Sequence, residues 1–284
     1  MGIRVNVLCR ILFATAITLV ASFAAAQSST GPAGAYKPQI GQPGKDVVWV
    51  PTPDRLIVRM LQMADTTSAD FVVDLGSGDG RIPIAAAKRF GARALGVEYD
   101  HELVQLSIRA AGREGVADRV RFAREDLFQT DLSAATVITA YLGIDTTLRL
   151  RPRLLELKPG TRVVTHQFTL GDWEPDETAR VENAPAYLWV VPARIAGNWA
   201  LKLGADEYEL AVQQEFQMIR GTARRRSRNS PVVGGRLRGE EIRFTFIDAN
   251  GDARHFTGRV AGNAMAGIAK NQEQPDLRWS AQRR

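Results

Sequence analysis

The stretch Asp74-Leu75-Gly76-Ser77-Gly78-Asp79-Gly80 constrains this chain more than any other. It follows the short apolar run Phe71-Val72-Val73. It precedes residues 82–90, which carry apolar side chains at helical spacing and stop at Gly91. Strand, glycine turn and helix in that order open a parallel sheet with helices on its faces. Glycines in such a turn let the backbone approach a ligand closely. The spacing is G-x-G-x-G rather than the G-x-G-x-x-G of a dinucleotide site. Asp74 ahead of the first glycine would repel a pyrophosphate, whereas it suits a ligand carrying an ammonium and a sulfonium.

The β-α alternation then repeats. Residues 94–98 read as a second strand, and Asp100 can cap a helix that runs to about Arg113 and stops at Gly115. Residues 120–123 and 135–141 read as the third and fourth strands. A helix around residues 148–157 ends before Pro159-Gly160, and residues 162–165 form a fifth strand. Ahead of the glycine turn, Thr52 is expected to cap a helix with Pro53 at its first position and Asp54 near its positive end. Glu98 closes the second strand, where a carboxylate can accept from both hydroxyls of a ribose. Asp126 follows the third strand beside Leu127 and Phe128, where it can accept from the exocyclic amine of an adenine. Isolated acids at strand ends are usually solvated or capping; three signals in this order at successive strand ends point to an adenosyl ligand.

These residues resemble the cofactor motifs of class I S-adenosylmethionine-dependent methyltransferases. Val50-Pro51-Thr52-Pro53, the turn continued through Arg81-Ile82, Leu157-Lys158-Pro159-Gly160 and Trp173-Glu174-Pro175-Asp176 are similar to the protein-lysine methyltransferase group. That group includes the mitochondrial enzymes acting on the ATP synthase c-subunit and the adenine nucleotide translocase. The resemblance covers residues 47–195. It implies S-adenosyl-L-methionine as cofactor, with Gly76, Ser77, Gly78 and Gly80 in the turn that wraps its methionine and ribose portion and Asp74 near its amino group. Glu98 would hold the ribose diol, and Asp126 with Leu127 the adenine. It further implies transfer of methyl from sulfonium to a nucleophile, chemistry that rests on positioning and desolvation. The preferred acceptor is the amine of a protein lysine, on a partner that can be membrane-associated.

The fourth strand ends Thr139-Ala140-Tyr141-Leu142, without the Asn/Asp-Pro-Pro-Tyr of amide- and adenine-methylating relatives. That argues against a nucleobase or glutamine acceptor. Tyr141 is the candidate catalytic residue: it would lie beside the methyl and orient an amine, or else be a core tyrosine. His166 can face the same cleft or be a satisfied structural histidine. Trp173 reads as lid packing. A second functional reading is an exported binding protein that keeps the scaffold without turnover. No hydrolase elbow G-x-S-x-G is present.

Beyond residue 195 the apolar period becomes two, with Asn250-Gly251 as a hairpin turn. The expected fold is therefore α/β: a Rossmann-like class I methyltransferase sheet over residues 47–195, then a small antiparallel β domain, a sandwich or partial barrel, over 196–284. The basic run Arg220, Arg224, Arg225, Arg226 and Arg228 reads as a solvated hairpin loop. At the front, Arg4 and Arg10 precede sixteen uncharged residues ending Ala24-Ala25-Ala26. This is the layout of a signal peptide over residues 1–26, with export to the periplasm; an uncleaved membrane anchor is the alternative. Residues 27–46, rich in Gly, Pro, Ser and Gln, read as a flexible linker. Cleavage would lower the net charge from +6 to about +4 and remove Cys9, the lone cysteine. That weakens any nucleic-acid footprint, so no nucleic-acid partner is expected. With one cysteine and three scattered histidines, no metal is expected either.

Overall fold

Val72 and Val73 are adjacent, fully buried, and belong to different hydrophobic clusters. Alternate side chains of a strand point to opposite faces, so this strand is covered on both sides. The same split recurs at Val137 and Ile138, Val164 and Val163, and Leu188 and Trp189. In a computed structural model, which describes Tyr36–Asn271 and Gln274–Arg284, these residues build a seven-stranded sheet. The proposed export segment lies outside the described residues. Strands β1 (Phe71–Leu75), β2 (Arg93–Glu98), β3 (Val120–Arg124), β4 (Val137–Ala140) and β5 (Arg162–His166) are parallel. Helices α1 (Asp54–Met63), α2 (Arg81–Phe90) and α3 (His101–Arg113) contribute to one cluster, and α4 (Ile144–Leu155) to the other.

The hairpin of β6 (Glu177–Val181) and β7 (Ala184–Val190) extends the sheet, giving the order β3-β2-β1-β4-β5-β7-β6. The strand order reverses between β2 and β4 on either side of β1, so a crevice opens at the carboxyl ends of the central strands. The hairpin escaped the sequence reading because β6 alternates only between half-buried and exposed positions.

The second antiparallel part is a closed eight-stranded barrel rather than a sandwich or partial barrel. Its strands are β8 (Gly197–Leu203), β9 (Asp206–Glu215), β10 (Met218–Arg225), β11 (Arg228–Arg238), β12 (Glu241–Ile247), β13 (Ala253–Ala261), β14 (Ala264–Lys270) and β15 (Leu277–Arg283). Each pairs with the next, and β15 closes on β8 with Ala281 opposite Leu201. Closure satisfies both edges and leaves no open ladder. The interior is filled: Phe256 stacks between Phe244 and Phe246 at 4.6 and 4.4 Å, and Trp279 meets Phe244 and Phe256 edge-on. The arginine run read as a solvated hairpin loop does lie on a hairpin, β10–β11, but mostly in its strands, with the turn at Arg226-Ser227; Arg224 pairs with Glu209 and Arg225 with Asp206.

The barrel is joined to the sheet through residues 173–176 and 191–195. Trp173 is fully buried against Trp189 and Phe216 and is not a lid. The buried Asp176 carboxylate accepts from Arg236 at 2.7 Å and from the backbone of Val190 at 2.9 Å. Gly239 packs on Gly160, and its carbonyl accepts from Ala193. Gly160 precedes β5, so this contact lies at the amino-terminal end of that strand, opposite the crevice.

A buried ion pair closes the β12–β13 turn. Arg254 and Asp248 are 2% and 4% exposed and 2.9 Å apart, and Asp248 also accepts from the backbone of Asn250 and Asp252. Burial alone would raise Asp248, but Arg254 and those backbone donors outweigh it and hold the carboxyl below its ordinary value. Arg254→Ala is therefore expected to destabilise the chain by about 3–5 kcal/mol, because a buried carboxylate loses its counter-charge. Urea unfolding followed by tryptophan fluorescence measures it. A loss under about 1 kcal/mol, the range of an exposed pair, would contradict the assignment.

Candidate active site

Three glycines of the turn after β1 have left-handed backbone, at φ +72° for Gly76, +55° for Gly78 and +79° for Gly80. Each is also crowded by a different element. A Cβ on Gly76 would lie 2.7 Å from Leu142, on Gly78 2.6 Å from the Trp49 indole nitrogen, and on Gly80 2.7 Å from Phe122 and Ser107. The G-x-G-x-G spacing is thus the place where the chain after β4, the segment before α1, and the β3/α3 side all touch one turn. Backbone hydrogen bonds lock it: the amides of Gly76 and Ser77 both donate to the Val97 carbonyl at 2.9 Å.

Glu98, at the end of β2, accepts from Gly78 at 2.9 Å through one oxygen and from Tyr99 and Asp100 at 2.7 and 2.9 Å through the other. Its carboxylate is held against the turn by three backbone donors. Asp100 then caps α3 as the sequence implied, accepting from Glu102 and Leu103. Asp74 is 2% exposed and accepts from the Thr139 hydroxyl at 2.6 Å. Burial pushes its carboxyl up to about 7; Thr139 opposes this, and the charges of Glu98 and Asp79 add to it. A buried acid facing two others is set to receive a cation.

Asp74, Gly76, Ser77, Gly78, Glu98, Asp126, Leu127 and Tyr141 all line one cavity at the crevice. Gly80 does not; it packs under the turn against Phe122 and Ser107. The roof was missed. Residues 44–52 cross the opening and line it, although residues 27–46 read by composition as a flexible linker. Gly41 and Gln42 pair with the backbone of Trp49, and Gly44 donates to Val47. Composition suggested flexibility, but tertiary contacts order the strap. Lys45 donates to Asp126 at 2.6 Å and lies 4.8 Å from the Tyr99 ring. The donor facing Asp126 is therefore an ammonium of this chain, and it lowers the Asp126 carboxyl below its usual value. An aromatic beside glycine-rich chain was the signal available in Trp49.

Thr52 does not cap α1. Pro53 holds the cap position without a side-chain hydrogen bond, and the Thr52 hydroxyl lies 3.1 Å from His166 Nδ1. Thr52 is buried, so its side chain answers to the core instead of the helix end. His166 lies against Tyr141, ring centroids 3.8 Å apart, and Phe168 stacks on Tyr141 at 6.2 Å. Burial pushes His166 down to about 4, so it is neutral at physiological pH, and burial also raises the Tyr141 phenol. Of these rings Tyr141 lines the cavity, and the neutral His166 and Phe168 pack against it. Among the described residues no group of His, Cys, Asp and Glu is arranged to hold a metal.

Residues 74–177 match the ANTKMT methyltransferase domain family. A protein-lysine N-methyltransferase of Saccharolobus islandicus (strain REY15A) is 42% identical over 151 residues, which span 51% of this chain and 94% of that protein. A Xenopus laevis lysine N-methyltransferase named for the ATP synthase c-subunit is 36% identical over 129 residues, which span 45% of this chain and 56% of that protein. Among solved structures, a Salinibacter ruber protein described as an RNA methyltransferase, in complex with S-adenosyl-L-homocysteine, is 48% identical with a TM-score of 0.51. It covers 51% of this chain, and 96% of its own length is matched.

The raised Asp74 carboxyl gives a prediction with a definite sign. Its folded value of about 7 lies above the ordinary 3.8, so the stability tied to the protonated form is complete below that ordinary value and is lost as pH rises through about 7. Asp74→Asn is expected to raise the thermal midpoint of the ligand-free protein most at pH 8, less at pH 5, and hardly at all below the ordinary carboxyl value of 3.8. Equal destabilisation at pH 8 and pH 5 would refute a buried, proton-binding Asp74.

Proposed function

Because this chain belongs to the S-adenosylmethionine-dependent methyltransferase family that includes the protein-lysine N-methyltransferases, we propose that it methylates the side-chain amine of lysine in a protein. The observation that carries the acceptor reading is a cavity walled at the end of β4 by the uncharged Tyr141, with the neutral His166 and Phe168 packed against that ring. A lysine side chain entering it would be desolvated, which favours the neutral, nucleophilic amine.

The residues of the turn fit the cofactor. Gly76 and Gly78 leave backbone where any Cβ would collide, the buried Ser77 hydroxyl has no hydrogen-bond partner within the chain, and Asp74 sits in a field that selects a cation. In this reading Asp74 receives the amino group, Glu98 the ribose hydroxyls, and Asp126 with Leu127 the adenine, Asp126 exchanging Lys45 for that partner. When bound, S-adenosylmethionine supplies an electrophilic methyl on a sulfonium. The chain's own part is to hold the acceptor in line, exclude water and keep Tyr141 as a neutral phenol that can accept an amine N–H.

The test uses the purified chain, methyl-labelled S-adenosylmethionine and an extract containing membrane proteins and RNA. Label on protein lysine is expected. Label confined to RNA, in keeping with the description of the Salinibacter protein, would overturn the acceptor reading. Glu98→Ala is expected to weaken S-adenosylhomocysteine binding by at least about tenfold in titration calorimetry, the scale of one lost charged hydrogen bond. Unchanged affinity would remove Glu98 from the site.

Localisation belongs to the same proposal: the basic start and apolar run of residues 1–26 support export. N-terminal sequencing of the protein from separated fractions should find periplasmic chains beginning at Gln27. Chains beginning at Met1, confined to the cytosol, would refute it.

A further inference from the structure

Gln167 has φ +70°, in the left-handed region that side chains other than glycine rarely adopt. The amide of Phe168 donates to the His166 carbonyl at 2.8 Å, so His166-Gln167-Phe168 is a γ-turn of the rare positive-φ kind. Two further bonds hold this strained corner: Gln167 donates its amide to Pro185 at 3.0 Å, and the Thr165 hydroxyl donates to the Phe168 carbonyl at 2.5 Å. Strain of this sort persists only where its surroundings enforce it, and it concentrates at functional sites. Here the corner carries two aromatic rings to one neighbour. His166 and Phe168 both lie against Tyr141, His166 closer than the ~4.5–7 Å of ordinary aromatic pairs.

Thr52 ties the corner to the cofactor turn. Its hydroxyl reaches His166 Nδ1 at 3.1 Å, and its carbonyl accepts from Arg81 at 3.1 Å. Arg81 in turn is held by the Asp79 carboxylate at 2.6–3.1 Å. Pro51 and Pro53 flank Thr52 and restrict its backbone. One continuous set of contacts thus runs Asp79–Arg81–Thr52–His166–Tyr141, from the glycine turn to the acceptor wall.

We propose that Thr52 and His166 are positioning residues: they fix the Tyr141 ring so that its phenol receives the acceptor amine, with Phe168 closing the other side. The proposal rests on the lysine reading above. His166 acts through Tyr141, and its buried neutral ring carries no proton in the step. Thr52 sets the ring's orientation and couples it to the turn that holds the cofactor.

The experiment compares Thr52→Val, Thr52→Ser and His166→Phe in the full chain, with a lysine-rich peptide as acceptor. Thr52→Val and His166→Phe should lower kcat about 30- to 100-fold, as misplacement does, and leave KM and S-adenosylhomocysteine affinity within about threefold. Thr52→Ser, which keeps the hydroxyl, should restore kcat. Unchanged kcat in both damaging variants would overturn the proposal. Parallel loss of cofactor affinity and kcat, without rescue by Thr52→Ser, would do the same and leave a structural role only. A second readout does not depend on turnover: the ring-proton NMR signal of His166, identified by its loss in His166→Phe. It should not titrate between pH 5 and 9, and it should shift when butylamine is added to the protein with S-adenosylhomocysteine. A silent signal would overturn the positioning role even if the peptide is methylated. If the peptide is not methylated while the signal responds to butylamine, the lysine reading fails and the amine-facing wall stands.

Discussion

No side chain fits at Gly76, Gly78 or Gly80, and the rest of the α/β part is arranged around that fact. Leu142, Trp49 and Phe122 with Ser107 press on three successive glycines from three directions. The end of β4, the strap before α1 and the β3/α3 side are therefore brought together at one point. Asp74 beneath the turn is buried by the same packing, and burial is what lifts its carboxyl toward neutrality. A site that disfavours a further negative charge and welcomes a positive one follows from sterics at glycine before any ligand is considered.

Thr52 shows how one short segment serves two purposes. Between two prolines it cannot continue a helix inward, and its hydroxyl is turned to His166 in place of the α1 terminus. The strap ahead of it brings Lys45 to Asp126 and Trp49 to Gly78. A stretch that by composition belongs to a linker becomes the roof of the cavity, because Lys45 and Trp49 reach residues far along the chain.

The barrel contributes differently. Its interior is packed with phenylalanine and tryptophan, and its junction with the sheet at Gly160, Trp173 and Asp176 lies away from the carboxyl ends of the strands. It buries Trp173 and the Asp176 carboxylate without lining the cavity at the crevice. Among the described residues no helix is long and apolar enough to cross a membrane.

The sequence by itself determined the local features: the strand–glycine turn–helix unit, the acids at successive strand ends, the period-two pattern beyond residue 195 and the Asn250-Gly251 turn. Each follows from short-range sterics, capping or alternation, which neighbouring residues are enough to specify. Only the tertiary structure decided that the barrel closes, that β6 and β7 extend the sheet, that Lys45 meets Asp126, and that Thr52 and His166 gather at Tyr141. Those outcomes depend on contacts between residues distant along the chain, from His166 opposite Ala186 at a separation of about 20 to Thr52 and His166 at 114. Spacing along a chain carries no record of such distances until the sheet order brings the segments together.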